Sequence, residues 1–317
     1  MNLQTLYSKS YNQLNKFQRK ISMPLKVLLF KNNIAKKQLK GKYNVEIAFL
    51  EGPITRIFSY KNKNVKKIAW IHNDISKVFG AGFKSKIKRI LDRKIYSKYN
   101  ELIFVSKDNM KKFNEIYSNV NVEKKVIYNY IDNEKVLIKA EGEQDIKFDE
   151  NVTNFVTVTR LVEQKAIDRL IKVHKRLIDS GYYHKIYVIG DGPEREKLEN
   201  LIKINNVNET FLLLGKKENP YPYIKNATYF CLLSNFEGYP MVLEEAKILK
   251  KFIIITNTAS REVVQKYDKS VIIENNENAI YEGLKEVLEH KAELLKKLDD
   301  NKSYDNQEII EKIRELL

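Results

Sequence analysis

Short apolar runs alternate with segments of helical periodicity along the first half of the chain. The runs have the composition of buried strands, and they lie at residues 43–50, 67–72, 101–106 and 125–128. Apolar positions at helical spacing occupy residues 83–99 and 107–117. Because strands that alternate with helices pair in parallel, this half is predicted to form a parallel α/β sheet.

The alternation is more regular beyond residue 150. Strands are predicted at residues 155–160, 185–189, 211–214, 229–233, 252–256 and 271–274, and helices at 167–178, 194–204, 223–226, 241–249, 277–298 and 307–317. This series predicts a doubly wound, Rossmann-like domain. Such sheets bind ligands at the carboxyl ends of their strands, so the residues after each strand are the candidates for a site.

A polar segment separates the two halves. Residues 140–154 are rich in Glu, Asp and Gln and have no clean period, which places the domain boundary there. The predicted domains are residues 1–148 and 149–317. Residues 1–40 are polar, basic and helical in pattern, with no strand.

The net charge of +16 is confined to the first half of the chain. Residues 1–150 hold 31 Lys and Arg against 15 Asp and Glu, whereas the remainder holds 26 of each. This charge predicts an anionic partner. A membrane surface is favoured over nucleic acid, since no zinc-ligand spacing, recognition helix or aromatic RNA-binding motif accompanies the charge. A solubilising lysine-rich face is the alternative.

The chain has one cysteine, Cys231, within an apolar run. It predicts a buried inert thiol, no internal disulfide and a reducing, cytoplasmic setting. The longest apolar stretch near the start, residues 21–30, is interrupted by Lys26 and is far shorter than a membrane span. We therefore expect neither a signal peptide nor a transmembrane helix.

Two basic residues follow the first strand of the second half. Arg160 lies at the strand end and Lys165 at the start of the next helix. A guanidinium can bridge two phosphate oxygens, an ammonium adds a point charge, and a helix N-terminus offers N–H groups, so this segment suits a diphosphate. An ordinary solvated loop is the alternative, and the evidence against it lies downstream.

A second segment, from Glu237 to Glu245, follows another strand and opens a helix. Gly238 lets the backbone approach a ligand, Pro240 lies at the helix start, and N–H groups around Tyr239 can meet a phosphate. A carboxylate accepts hydrogen bonds from vicinal hydroxyls, so one Glu can bind a ribose diol while the other binds a hexose.

Together the two segments resemble motifs of the family 4 glycosyltransferases. The string from Glu237 to Glu245 matches the family's Glu-x7-Glu motif, and Arg160 with Lys165 matches its Gly-Arg-Leu…Glu-x-Lys-Gly-x-Asp segment. Further matches lie at residues 69–74, 104–106, 126–129, 189–194, 214–215 and 219–227. The resemblance covers about residue 43 to the end. It implies the GT-B fold, with two Rossmann-like domains facing a cleft.

The resemblance also implies a reaction and roles for residues. The reaction is sugar transfer with retention of configuration, without a metal or other cofactor, from a nucleotide sugar; UDP is the family's commonest nucleotide. Arg160 and Lys165 would neutralise the leaving diphosphate, and Glu245 would hold the ribose.

The predicted catalytic residues are His72 and Glu237. Glu237 would hold the donor sugar, and His72, just past a strand, would hydrogen-bond it. Gly238, Tyr239 and Pro240 would complete the donor site. The remaining histidines are expected on the surface; they are His174, His184 and His290.

The sequence departs from the family pattern in two places. Thr159 and Ala166 stand where the family has Gly. The family's first strand, Gly-rich loop and helix have no counterpart before residue 43, so the N-terminal domain is expected to be incomplete or to be completed by a protein partner.

The leading interpretation is a glycosyltransferase that adds a hexose or N-acetylhexosamine from a UDP-sugar to a lipid-linked surface glycan, as in capsular polysaccharide or lipopolysaccharide synthesis. It would act at the inner face of the cell membrane as a peripheral protein. A non-catalytic subunit that binds the nucleotide sugar is the alternative. A third hypothesis, a nucleic-acid-binding protein, predicts salt-sensitive binding that does not depend on Glu245.

Overall fold

A computed structural model describes residues 43–72, 75, 83–296, 298 and 306–316, with the backbone alone for residues 83–87. The chain divides into two compact units. The first comprises Met1–Tyr128 and Glu311–Leu317, and the second comprises Asn129–Ile310. Each unit is built on a parallel sheet.

Within the described residues, the sheet of the first unit has four parallel strands that follow one another in chain order. They are β1 (Val45–Ala48), β2 (Lys66–Ile71), β3 (Glu101–Phe104) and β4 (Glu123–Val126). The helices that the structure describes between them are α1 (Pro53–Phe58), α2 (Phe83–Tyr96) and α3 (Lys107–Ile116). These strands agree with the predicted ones, whereas α1 was not among the predicted helices.

Aromatic side chains fill the core of the first unit. The ring of Phe113 on α3 lies 5.0 Å from Phe104 on β3 and 4.9 Å from Tyr117, and all three residues are buried. Ser106 caps α3 because its side chain accepts a hydrogen bond from Asn109 N. The cap at Ser106 and the shared aromatic cluster therefore position α3 against β3.

The sheet of the second unit has six parallel strands. They are β5 (Thr153–Val158), β6 (His184–Ile189), β7 (Phe211–Gly215), β8 (Tyr229–Leu232), β9 (Phe252–Thr256) and β10 (Ser270–Ile273). Their order across the sheet is β10-β9-β8-β5-β6-β7, which is the order of a doubly wound Rossmann sheet. The chain winds outward in opposite directions from β5 and β8, so these two neighbours form the topological switch point.

Helices cover both faces of this sheet. They are α4 (Asn133–Ala140), α5 (Ile167–Asp179), α6 (Arg195–Ile204), α7 (Tyr221–Asn226), α8 (Met241–Ile248), α9 (Arg261–Val264), α10 (Glu277–Glu289) and α11 (Lys291–Lys296). A further helix, α12 (Gln307–Arg314), spans the division between the two units. Adjacent residues of β5 point to opposite sides: Phe155 packs in a cluster with α5, α6 and α10, and Val156 in another with α4, α7 and α8. The helix predicted over residues 277–298 is divided at His290 into α10 and α11.

The segment before β5 belongs to the second unit, so the observed division after Tyr128 lies earlier than the predicted boundary at residue 148. The ring of Phe148 stacks 4.3 Å from Tyr187, and Glu141 forms an ion pair with Lys225. Acidic residues gave this segment the composition of a linker, but some of their side chains form contacts with the second unit. Residues 311–317 belong to the first unit, where Leu316 O accepts a hydrogen bond from Lys66.

Two histidines are buried, and their predicted surface position is wrong. His174 and His184 have no exposed surface. His184 Nδ1 lies 2.8 Å from Tyr182 O, His184 Nε2 lies 2.8 Å from His174 Nδ1, and His174 Nε2 lies 2.9 Å from Thr210 Oγ1. Every ring nitrogen therefore has a partner, and burial lowers the pKa of His174 to about 2 and that of His184 to about 4. His290 is exposed, as predicted.

Some predictions fall on residues outside those described. These are the helical pattern of residues 1–40, the absence of the family's first strand, Gly-rich loop and helix, and the motif residues Asn73 and Asp74. Among the helices that are described, none is both long and apolar enough to cross a lipid bilayer.

Candidate functional site

The predicted donor-binding residues meet at the switch point of the second unit. Arg160 and Lys165 follow β5, and Glu237 follows the neighbouring strand β8. The carboxyl ends of two strands that wind in opposite directions leave a crevice, because their connecting helices pack on opposite faces of the sheet. The topology thus brings together two segments that lie about 75 residues apart in the sequence.

Two glycines after β6 set the path of the segment that carries Arg160. A Cβ atom on Gly190 would lie 1.7 Å from Thr159 O, and one on Gly192 would lie 2.3 Å from Leu161 O. Leu161 N donates to Asp191 O at 3.0 Å, and Glu194 N donates to Leu161 O at 3.1 Å. Only glycine permits this backbone contact, which fixes where the β5 strand end enters the site.

Hydrogen bonds join the segments after β5 and β8. Asn235 N donates to Gln164 O at 2.9 Å, Gln164 Nε2 donates to Phe236 O at 2.9 Å, and Asn235 Nδ2 donates to Glu163 O at 3.1 Å. Arg169 on α5 donates to Leu233 O at 2.8 Å. Neither Gln164 nor Asn235 was a predicted site residue, and their side chains make the two loops one structural element.

Lys165 and Glu237 form an ion pair, with 2.5 Å between Lys165 Nζ and Glu237 Oε1. Their side chains are 14% and 5% exposed. The sequence assigned these residues to different parts of a ligand, and the structure joins them directly. Arg160, which precedes Lys165 in the sequence, is exposed, so its guanidinium is accessible to an anion from solvent.

The turn that carries Lys165 is strained at Ala166. Glu163–Lys165 forms a single 3-10 turn, and Ala166, with φ of 50° and ψ of 39°, lies in the left-handed region before α5. This is one of the two positions where the resemblance predicts glycine. Glycine adopts the left-handed region without the steric cost that a side chain brings.

Unpaired polar atoms occur at both strand ends. The hydroxyl oxygens of Thr159, after β5, and Ser234, after β8, are buried and lack a hydrogen-bond partner. Ser234 has no exposed surface. Buried polar atoms without partners are uncommon in a folded core, so both hydroxyls are available to a ligand or water at the switch point.

Two adjacent glutamates on α8 have different environments. Glu244 is 3% exposed; its carboxylate accepts hydrogen bonds from Tyr239 at 2.5 Å and Lys247 at 2.8 Å. Glu245 accepts one from Tyr221 at 3.3 Å. Burial raises the pKa of Glu245, and the Tyr221 hydrogen bond partly opposes that effect. Glu244 therefore braces the loop, whereas Glu245 is the carboxylate with capacity for a ligand.

The segment between Glu237 and α8 is partly exposed. Gly238, Tyr239 and Pro240 are all half-buried, and Pro240 precedes the first residue of the helix with extended backbone angles. No side chain caps the start of α8. The predicted binding residues of this segment thus lie beside a helix N-terminus that can receive an anionic group.

His72 lies in the first unit, at the carboxyl end of β2, and so apart in the chain from the other candidates. Its ring centroid lies 4.6 Å from that of Phe49 and 6.3 Å from that of Trp70. The carbonyl of Phe49 accepts a hydrogen bond from the ring, and His72 Nε2 is buried without a partner among the residues that the structure describes. Burial lowers the pKa of His72. The neutral ring therefore offers Nε2 as an acceptor for a hydroxyl.

Comparisons with known proteins identify the family and the fold. A model of the glycosyl transferases group 1 family matches residues 139–312, which is more than half of the chain. The chain is 30% identical over 218 residues to an uncharacterized glycosyltransferase of Methanocaldococcus jannaschii, covering 67% of this chain and 53% of that protein. It is 29% identical over 235 residues to the N-acetylgalactosamine-N,N'-diacetylbacillosaminyl-diphospho-undecaprenol 4-alpha-N-acetylgalactosaminyltransferase of Campylobacter jejuni, covering 73% and 62%.

Among solved structures, HepE of Anabaena in complex with UDP and glucose matches with a TM-score of 0.71 at 12% identity, over 89% of this chain and 80% of HepE. The chain spans little more than half the length of the curated relatives it matches. The structural match confirms the predicted α/β fold with parallel sheets, that of the GT-B glycosyltransferases. The family match then identifies the chain, which belongs to the group 1 glycosyl transferases.

Proposed function

We propose that the second unit binds a nucleoside diphosphate sugar whose nucleoside diphosphate is UDP. We further propose that the protein transfers the sugar to a lipid-linked glycan with retention of configuration. The observation that carries this proposal is the pairing of Lys165 with Glu237 at the switch point. A cation for the diphosphate and a carboxylate for the sugar lie side by side at the edge of the sheet where such ligands bind.

Each part of the donor has a matching group. Arg160 and Lys165 neutralise the charge that develops on the leaving diphosphate, so the chemistry needs no metal ion. The carboxylate of Glu245 accepts hydrogen bonds from the ribose diol. Glu237 and the backbone at Gly238 hold the sugar.

The role of His72 rests on its unpaired Nε2 atom. A neutral imidazole with one nitrogen held by a backbone carbonyl accepts a hydrogen bond from a sugar hydroxyl through the other. We propose that His72 orients the donor sugar in this way.

The relatives support a lipid-linked acceptor. The Campylobacter jejuni protein is named for an acceptor on diphospho-undecaprenol, and HepE was solved with UDP and glucose. The transferred sugar is a hexose or N-acetylhexosamine in this proposal, and the product is a cell-surface glycan such as a capsular polysaccharide or lipopolysaccharide.

A basic helix face of the first unit suits attachment to the membrane that carries such an acceptor. The exposed side chains of α2 include one apolar and several basic residues; they are Lys88, Ile90, Arg93 and Lys94. Basic residues near an anionic surface contribute about 1 kcal/mol each, so this face can hold the protein peripherally at the inner leaflet of the cell membrane.

The test is a transfer assay with the purified chain, radiolabelled UDP-sugars and vesicles that contain undecaprenyl-diphosphate-linked sugar. The proposal expects labelled lipid with the parent and none with Glu237→Gln, while Glu282→Gln, a change at an exposed position of α10 in the same unit, retains transfer. Donor binding without transfer by any vesicle would favour the alternative, a non-catalytic subunit that needs a protein partner.

A further inference from the structure

A cavity of about 880 Å³ opens at the opposite end of the second unit's sheet from the candidate donor site. Its inner wall is formed where three strands begin, by Asn154 on β5, Thr228 before β8 and Lys251 before β9. The six residues of β5 span about 20 Å, so a ligand here cannot share contacts with one at Arg160.

Lys251 is the most enclosed charge in this cavity. Its ammonium donates to Ala227 O at 2.9 Å. Its backbone is held on both sides, since Lys251 N donates to Ala246 O at 3.0 Å and Lys251 O accepts from Tyr267 at 2.7 Å. Burial, with repulsion from Lys225, lowers the pKa of Lys251 to about 8.

No carboxylate of the described chain pairs with Lys251. A largely buried cation is normally paired, because desolvation makes an isolated charge costly. An ammonium has three N–H donors, and the structure assigns only one of them here. The two remaining donors of this ammonium can therefore bind an anion that enters the cavity.

The rest of the lining defines the class of that anion. Lys147 and Lys291 add positive charge, and neither forms an ion pair with any residue that the structure describes. Glu143 and Glu150 lie at the exposed rim, where their carboxylates can accept hydrogen bonds from hydroxyls. Phe148 supplies an apolar surface of the kind that packs against the C–H face of a sugar ring.

We propose that this cavity is a second ligand site, which binds a sugar phosphate with its phosphate on Lys251 and its hydroxyls on the rim carboxylates. The ligand has a phosphate for the lysines, hydroxyls for Glu143 and Glu150, and a ring for Phe148. This site is independent of the donor site, because none of its lining residues contributes to the crevice between β5 and β8.

The test combines two measurements on the full chain, each made in the presence of saturating UDP so that the donor site is occupied. Calorimetric titration with glucose 6-phosphate is compared for the parent, Lys251→Met and Lys250→Met. Lys250 is exposed and adjacent, so its variant loses the same charge without touching the cavity. We expect Kd to rise about tenfold or more in Lys251→Met alone, since one charge-assisted hydrogen bond is lost.

Amine modification of the parent protein gives a readout that does not depend on the variant's folding. Reductive methylation followed by mass spectrometry should show Lys251 protected by glucose 6-phosphate and, at higher concentration, by inorganic phosphate, but not by glucose. Equal losses of binding in both variants, or methylation of Lys251 at the same rate with and without either phosphate, would overturn the proposal. If UDP failed to bind while glucose 6-phosphate still protected Lys251, only the donor site would be refuted.

Discussion

Lys165 Nζ lies 2.5 Å from Glu237 Oε1, and the Glu237 side chain is only 5% exposed. A residue predicted to bind a diphosphate and one predicted to bind a sugar therefore form a single buried pair. In the free protein each charge compensates the other. A donor that brings its own negative phosphates would compete with Glu237 for Lys165 and leave the carboxylate free for the sugar hydroxyls.

Replacing Lys165 with Met should destabilise the second unit by about 3 kcal/mol, because Glu237 is left as a buried carboxylate without its partner. Adding Glu237→Gln should recover part of this loss, since the amide carries no charge. Urea unfolding of the two single variants and the double variant measures the coupling. Additive losses would show that the pair is not coupled.

The Tyr221 hydroxyl should set the pH range over which UDP binds. It donates to Glu245 at 3.3 Å and so favours the ionised carboxylate, whose pKa is raised by burial. Tyr221→Phe removes the donor and raises that pKa further. If ionised Glu245 holds the ribose, UDP affinity will begin to fall at a higher pH in the variant than in the parent as the solution is acidified.

Tyr223→Phe is the matched control, because Tyr223 is on the same helix and its hydroxyl bonds to Asp145 instead. Its pH profile for UDP binding should coincide with that of the parent. Identical profiles for all three proteins would show that Tyr221 does not act through Glu245.

The buried histidine pair should make the protein sensitive to acid. The pKa values of His174 and His184 are lowered to about 2 and about 4, so the unfolded chain binds protons that the folded chain excludes. Stability is therefore complete above the unfolded pKa of about 6.5 and falls as pH decreases toward the folded values. Each histidine should remove about 2 kcal/mol of unfolding free energy by pH 5.

Urea titrations at pH 7, 6 and 5 measure this decline. The exposed His290 provides the control, since His290→Gln should leave the slope of stability against pH unchanged. A flat unfolding free energy between pH 7 and pH 5 would contradict the assignment of both rings as neutral and buried.

Ala166→Gly should stabilise the protein by about 1 kcal/mol, because alanine at a φ of 50° carries left-handed strain that glycine lacks. Ala227→Gly should instead destabilise the protein. Ala227 has a φ of −69°, which any residue adopts, and its side chain is buried, so glycine there adds flexibility and loses a packed methyl group without relieving strain. Thermal unfolding compares the two variants, and a lower melting temperature for Ala166→Gly would disprove the strain.

The sequence predicted most of this structure because apolar runs mark strands and helical periodicity marks amphipathic helices. It did not reveal α4, in which only Val136 and Ala140 are buried and the exposed face includes Leu137 and Ile138. Because apolar residues lie on both the buried and the exposed face of α4, its helical period is obscured. The pairing of Lys165 with Glu237 could not be predicted either, since it depends on strand order rather than on spacing in the chain.

The burial of His174 could have been predicted from the sequence, whereas the hydrogen bonds of Gln164 could not. His174 lies between Leu170 and Leu177 on the buried face of α5, so its spacing did indicate burial, although the His184 partner did not follow from it. The hydrogen bonds of Gln164 with the loop after β8 have no sequence signal, because a polar residue in a polar loop looks the same whether or not it is engaged. Arg160 and Glu237 lie where the pattern placed them, after the strands β5 and β8.

Binding of a nucleoside diphosphate in the crevice between β5 and β8 underlies the proposed function. Calorimetric titration of UDP into the purified chain measures this binding, beside Glu245→Ala, Glu282→Gln and a double Arg160→Ala, Lys165→Ala variant. We expect binding by the parent, loss of that binding in Glu245→Ala and in the double variant, and retention in Glu282→Gln, whose side chain is exposed on α10. Absence of UDP binding by the folded parent, or equal binding by Glu245→Ala, would refute the donor site.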